Sequence, residues 1–115
     1  AVMDALLGAA GLWDIGHAFP DNDPAYEGAD SLALLARVME MLRGKGYRVG
    51  NVDATVLAQR PKLAPYLEQM RENLAARMKA ALEQVNVKAT TEEKLGFTGA
   101  EEGIAAHAVC LLERV

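Results

Sequence analysis

The chain has 115 residues, 51% of them hydrophobic and 24% charged, a balance that suits one packed domain and excludes a disordered tail. Twelve Lys and Arg against sixteen Asp and Glu leave a net charge of −4 without a long run of either sign, which argues against nucleic acid or an anionic membrane surface as partner. No apolar stretch approaches the roughly 20 residues of a membrane helix, no signal peptide opens the chain, and the single cysteine, Cys110, cannot close an internal disulfide; a reducing, cytoplasmic setting is expected.

The first ten residues, Ala/Leu-rich, read as helix from Ala1 onward without a cap or lead-in, so the sequence predicts that a segment precedes them. Trp13 to Ala29 reads as a long loop, punctuated by Gly16, Pro20, Pro24 and Gly28 and carrying Trp13, Phe19 and Tyr26; loops of that length in a small domain are usually functional. Asp30 or Ser31 caps a second helix with Leu32, Leu35, Met39 and Leu42 on one stripe, stopped by Gly44 and Gly46. Tyr47 to Gln59 alternates as a strand, with Pro61 at its end, and a third helix is expected from about Pro65 to Ala81. Val85, Val87 and Ala89 mark a short second strand, and Thr90 to Phe97 a turn with at most one helical turn in it. Gly103 to Arg114 is apolar on both faces, the pattern of a strand buried on both sides.

The order α-α-β-α-β-β predicts a single α/β domain (α+β, two-layer) with helices packed on one face of a mixed sheet. Three strands leave exposed edges, and a doubly apolar last strand needs cover on its second face, so association through the sheet is expected.

Three segments hold chemistry. Asp14 to Pro24 gathers three carboxylates and an amide in a Gly/Pro-shaped loop; singly these residues suit Asx turns, together they suit gripping polyol hydroxyls. Ala58 to Pro65 leaves a strand end and enters a helix, either as a proline-set connector or as exposed backbone that reads a flat base. Thr90-x-x-Glu93 fits a capping box, and on the residues alone that reading is favoured; the alternative is a phosphate site with a glutamate to hold a divalent cation. No His/Cys/Asp set has zinc-ligand spacing, and Cys110 reads as a core thiol.

In order, Asp-Ala-Leu-Leu-Gly-Ala-Ala (4–10), Asp-Ile-Gly (14–16), Phe-Pro-Asp-x-Asp-Pro (19–24), Gly-Ala-Asp-Ser (28–31), Gly-Asn-Val-Asp (50–53), Ala-Gln-x-Pro-Lys (58–62) and Val-Asn-Val-Lys-Ala-Thr-Thr-x-Glu-Lys-Leu-Gly-Phe-Thr-Gly (85–99) closely resemble the 2-C-methyl-D-erythritol 2,4-cyclodiphosphate synthase family of the non-mevalonate isoprenoid pathway. The resemblance runs over the whole chain. It implies a bacterial, cytoplasmic homotrimer of α/β subunits with active sites at subunit interfaces. The implied substrate is a cytidine diphosphate ester of methylerythritol 2-phosphate, whose own phosphate closes the cyclic diphosphate and expels CMP.

Carried over by position, Asp14, Ile15 and Gly16 match the ribose loop, and Phe19, Pro20, Asp21, Asn22 and Asp23 the loop around the methylerythritol phosphate. Ala58, Gln59, Arg60, Pro61, Lys62, Leu63 and Ala64 match the cytosine pocket. Thr90, Thr91, Glu92 and Glu93 match the diphosphate site, with Thr91 as transition-state stabiliser and Glu93 as ligand of Mg²⁺ or Mn²⁺, and Phe97 matches a further substrate contact. The resemblance thus sets aside the capping-box reading.

The family's Zn²⁺ ligands, an Asp-x-His pair and a second histidine, would lie upstream of Ala1, as would its early His-Ser pair. Ala100 stands where many members carry a basic residue. From these departures the 115 residues alone are expected to fold poorly or assemble abnormally, and the full reaction is expected to need the upstream residues. The other reading is a non-catalytic truncated subunit that binds a cytidine nucleotide or serves as a structural trimer component.

Overall fold

The computed structural model describes residues 1–20, 30–59, 62–91, 93–100 and 103–115. Helix α1 spans Val2–Ala9, α2 Ile15–Ala18, α3 Ser31–Gly44, α4 Leu67–Met78 and α5 Gly96–Gly99; strands β1, β2 and β3 span Tyr47–Leu57, Val85–Thr90 and Ala105–Arg114. Asp30 caps α3, its carboxylate accepting from Leu32 N at 3.2 Å, and Gly46 leaves that helix at φ +86°, a backbone region open to glycine at little cost. Helix α4 begins from a 3₁₀ turn at Ala64–Tyr66 and stops three residues short of the expected Ala81. There Lys79 turns left-handed at φ 54°, and Ala80 N donates to Ala75 O at 3.0 Å, the arrangement that satisfies a helix's last carbonyls.

The strands form one mixed sheet in the order β2-β1-β3, with β2 parallel and β3 antiparallel to β1. The parallel pair needs a crossover, which α4 supplies. Helix α1 lies against β3, α3 against β1 and α4 against β2, so the helices cover one face as expected. Leu6, Leu7, Leu35, Val38, Met39, Leu42, Val52, Met78 and Val85 are all at most 2% exposed and form the core with Phe19, Val49 and Ala75. The alternation of β1 aims Val49, Val52 and Ala54 inward.

A bulge interrupts β1 between Val49 and Asn51. A Cβ on Gly50 would sit 3.1 Å from Leu111 O, so the close approach of β3 favours glycine there. Gln84 reaches the bulge from the 3₁₀ turn before β2: its Nε2 donates to Val49 O at 3.3 Å and Gly50 O at 3.1 Å, while its Oε1 accepts from Ala81 N at 2.8 Å.

The expectation for β3 needs correction within the chain. Cys110 and Leu112 pack against the core, but Val109 and Leu111 are 72% and 68% exposed. They stand on the sheet's other face, which no described helix covers. Beside them on that face are Lys88, paired with Asp53 at 2.8 Å, and Arg48, paired with Glu113 at 3.0 Å. The Lys88 ammonium, followed by the Asn86 amide, holds the Asp53 carboxyl below its usual range. Among the described residues, no helix is long and apolar enough to cross a membrane.

Candidate functional site

Because β1 and β2 run parallel, their carboxyl ends leave the sheet side by side. Leu57 pairs with Thr90, and Ala58 N donates to Thr90 O at 3.1 Å, carrying the pairing one step beyond the strand. The two following loops therefore start next to each other, the usual place for a ligand in an α/β sheet. Gln59 ties them: its Oε1 accepts from Lys94 N at 3.2 Å. Between them lies a groove of about 250 Å³ lined by Ala58, Gln59, Lys62, Leu63 and Ala64 after β1 and by Ala89 and Thr90 at the end of β2 with Thr91 beyond it. The structure thus brings Ala58, Gln59, Lys62, Leu63 and Ala64 from the residues matched to the cytosine pocket to one place with Thr90 and Thr91 from those matched to the diphosphate site.

The turn after β2 does not form a capping box. No helix starts at Thr90; Thr91 Oγ1, not Thr90, accepts from Glu93 N, at 3.3 Å, while Thr90 Oγ1 donates to Thr91 O at 3.3 Å. Glu93 and Lys94 sit at φ 51° and 66°, two successive left-handed side-chain-bearing residues, which cost on the order of 1–3 kcal/mol each. Strain of that kind persists only where neighbours impose it. The turn folds directly onto α5, an approach that the missing side chain of Gly99 permits: a Cβ at that position would lie 2.3 Å from Lys94 C and 2.7 Å from its Cα. Among the described residues the exposed Glu93 carboxylate has no hydrogen-bond partner, which leaves it open as an oxygen ligand.

Asp14 belongs to a separate unit. It caps α2, a short helix inside what the sequence reads as loop; Oδ1 accepts from His17 N at 3.0 Å and from His17 Nδ1 at 2.7 Å. The His17 side-chain bond, then the backbone bond, holds the Asp14 carboxyl below its ordinary range. Asp4 Oδ1 accepts from Ile15 N at 2.9 Å, fixing α2 against α1. Phe19 is buried in the core, Pro20 is exposed, and Phe97 is 56% exposed near Gly103. No described residue from Asp14 to Phe19 lines the groove between the strand ends. Asp21, Asn22, Asp23, Arg60, Pro61 and Glu92 lie outside the described residues.

Reading the sequence missed Lys94, whose backbone N–H closes the groove, Ala89, which lines it, and the Trp13–His17 contact around Asp14. Only the last left a local trace, the Asp-x-x-His spacing. Among the described residues no three His, Cys, Asp or Glu side chains gather for a metal; zinc finds no ligand set within them. Mg²⁺ makes lighter demands, since it binds through one or two carboxylates plus substrate phosphates, and Glu93 beside Thr91 fits that pattern.

The sequence profile of the YgbB family matches residues 1–113. The chain belongs to the YgbB family. It is 68% identical over 113 residues to a protein of Thioalkalivibrio sulfidiphilus named 2-C-methyl-D-erythritol 2,4-cyclodiphosphate synthase, covering 98% of this chain and 71% of that one. A protein of the same name from Ectopseudomonas mendocina is 65% identical over 97% of this chain and 71% of its own. Among solved structures, the CDP complex of IspF from Plasmodium falciparum superposes with a TM-score of 0.85 at 33% identity, covering 99% of this chain and 68% of that one. The bifunctional IspDF from Campylobacter jejuni superposes at 0.93 with 42% identity, over 98% of this chain but only 31% of that protein.

Proposed function

We propose that this chain is a subunit of a cyclodiphosphate synthase, a lyase that converts 4-diphosphocytidyl-2-C-methyl-D-erythritol 2-phosphate to 2-C-methyl-D-erythritol 2,4-cyclodiphosphate and CMP. The observation that carries the reading is the meeting of the Ala58–Ala64 and Thr90–Lys94 loops at one groove, held by Gln59 and Lys94. A base seated among Ala58, Lys62, Leu63 and Ala64 directs its diphosphate toward Thr90 and Thr91.

In the reaction an oxygen of the 2-phosphate forms a bond to the β-phosphorus, and the bond from that phosphorus to the bridging oxygen breaks. CMP leaves with the bridging oxygen. Such a ring closure asks little of protein acids and bases; it asks that nucleophile and leaving group be held in line and that charge be met by fixed donors. The Thr91 hydroxyl and the backbone amides of the turn are donors of that kind. Glu93 is the ligand for Mg²⁺ or Mn²⁺, which when bound neutralises charge on the diphosphate oxygens. Among the described residues there is no ligand set for Zn²⁺.

Asp14, with Ile15 and Gly16, takes the ribose, and because that unit does not line the groove of its own chain, the complete site forms between subunits of a homotrimer in the bacterial cytoplasm. The uncovered sheet face with Val109 and Leu111 supports such an assembly.

The test is CDP binding by calorimetry with Mg²⁺ present, together with CMP release from the diphosphate ester. Thr91→Val is expected to slow CMP release by about 10²–10³-fold, the range for loss of one transition-state donor, and Glu93→Gln to weaken the Mg²⁺ dependence of CDP binding. Failure of CDP to bind refutes the reading; CDP binding without CMP release assigns the chain instead to a nucleotide-binding, non-catalytic subunit.

A further inference from the structure

Trp13 is the chain's single tryptophan, and three features set it apart. It is 76% exposed, its φ of 69° is left-handed, and its ring stacks on His17 with centroids 5.1 Å apart and planes inclined by 22°. A bulky residue at positive φ is an outlier, and an exposed indole is not held there by the core. What it touches is the imidazole, and the imidazole in turn holds Asp14.

The oxygens of Asp14 are unequally used. Its depressed pKa keeps it ionised near neutrality, so it can only accept, and His17 must present Nδ1–H to it. Both bonds from His17, backbone N at 3.0 Å and Nδ1 at 2.7 Å, land on Oδ1. The Gly16 backbone N–H adds the smallest of the interactions that hold the carboxyl ionised; neither bond from His17 falls on Oδ2. His17 therefore pins the carboxylate through Oδ1 and leaves Oδ2 to other partners. Exposed carboxylates usually rotate; this one is braced from the backbone by its own helix cap and from the side by a ring that is itself clamped under Trp13.

We propose that His17, backed by Trp13, is a positioning residue that aims Asp14 Oδ2 at the ribose diol and so makes the protein selective for ribonucleotides over sugars lacking those hydroxyls. The inference rests on the nucleotide reading given above and deepens it. A carboxylate oxygen with two free lone pairs can accept from both hydroxyls of a vicinal diol; an unbraced carboxylate must be ordered at the moment of binding, and that ordering cost falls on the diol-bearing ligand alone. His17 touches neither base nor phosphate in this arrangement, so its effect is confined to the sugar.

The experiment compares Kd for CDP and for 2′,3′-dideoxy-CDP, with Mg²⁺, in the wild-type protein and in His17→Ala, His17→Asn and Trp13→Gly. Thermal melting checks each variant's fold; the side chains of Asp14 and His17 are more than half exposed, so the substitutions leave the core alone. His17→Ala is expected to lower the CDP preference about fivefold or more, the net size of one ordinary hydrogen bond, through the CDP constant and not the dideoxy one. His17→Asn keeps a donor where Nδ1 stood and is expected to recover part of the preference. Trp13→Gly retains the left-handed backbone but removes the clamp, and is expected to fall between them. In the wild-type protein CDP is expected to change Trp13 emission more than the dideoxy analogue does.

An unchanged CDP-to-dideoxy ratio in His17→Ala overturns the inference while leaving the nucleotide reading intact, and equal weakening of both ligands overturns it as well, since that is what a merely structural role does. If the wild-type protein binds neither ligand, the nucleotide reading fails and this inference falls with it.

Discussion

Gly99 offers the sharpest test of how the turn after β2 is held. A methyl group there would stand 2.3 Å from Lys94 C and 2.7 Å from Lys94 Cα, whereas carbon atoms rest at about 3.5–4.0 Å, so Lys94 and α5 must part by about 1.2 Å or more. The opposing atoms are backbone and cannot rotate away. Lys94 N is also the donor to Gln59 Oε1, so the same movement opens the tie across the groove and carries Glu93 off. Gly99→Ala is therefore expected to weaken CDP binding at least about tenfold, or about 1.4 kcal/mol, because displacements near 1 Å in positioning groups are felt at that level or above. Global stability should change little: the turn contributes nothing to the cluster of Leu6, Leu35, Leu42 and Met78. Calorimetry with CDP and Mg²⁺, set beside a urea melt, reads both quantities. Wild-type affinity in Gly99→Ala would refute the argument, because it would mean that the position of Lys94 is irrelevant to the nucleotide.

Two further outcomes concern the scaffold. Leu42 is fully buried between α3 and the sheet, and Leu42→Ala should cost about 3–5 kcal/mol in urea unfolding through lost burial and the cavity left; a cost below about 1 kcal/mol would mean that the helical layer is loosely packed. For Asp53, whose folded pKa is depressed below 3.8 chiefly by Lys88, the sign follows from proton binding: the folded state takes up its proton at lower pH than the unfolded state. The contribution is present above the usual carboxylate range and is lost as pH falls through the depressed value. Melting temperature should consequently drop less steeply on acidification in Asp53→Asn than in the wild-type protein, and parallel profiles would exclude Asp53 as a source of acid sensitivity.

Local pattern was enough for most of the framework. The alternation through Val52 and Ala54 marked β1, Asp30 with Gly46 bounded α3, and Val85, Val87 and Ala89 marked β2, which runs one residue further, to Thr90. Local pattern failed where a feature depends on what comes from elsewhere. Residues 15–18 make only one helical turn around Gly16 and show no apolar period; Asp14 and Asp4 hold them. Thr90-x-x-Glu93 has the spacing of a box, but Glu93 and Lys94 turn left-handed where the chain packs onto Gly99 of α5, a geometry that the box does not allow. Val109 and Leu111 look buried by composition and are not covered within one chain. The meeting of Gln59 with Lys94 is a product of parallel strand pairing, and no short-range periodicity encodes it. The family's motifs hold residues on both sides of the groove, though not the contact between Gln59 and Lys94 that ties them.

The central strand has one neighbour that is near in sequence and one that is distant. Arg48 and Glu113, joined across β1 and β3, are 65 residues apart, and β1 donates its other edge to β2 only after α4 has crossed over. During synthesis β1 thus spends a long interval with both rows of amides unpaired. Helix α3 can shield its apolar side early, since it immediately precedes β1, but one backbone edge stays open until β2 emerges and the other until β3 does. A nascent chain stalled before β3 should accordingly be a substrate for chaperones and prone to intermolecular strand pairing, and its protection from proteolysis should arrive in one step as that strand is completed.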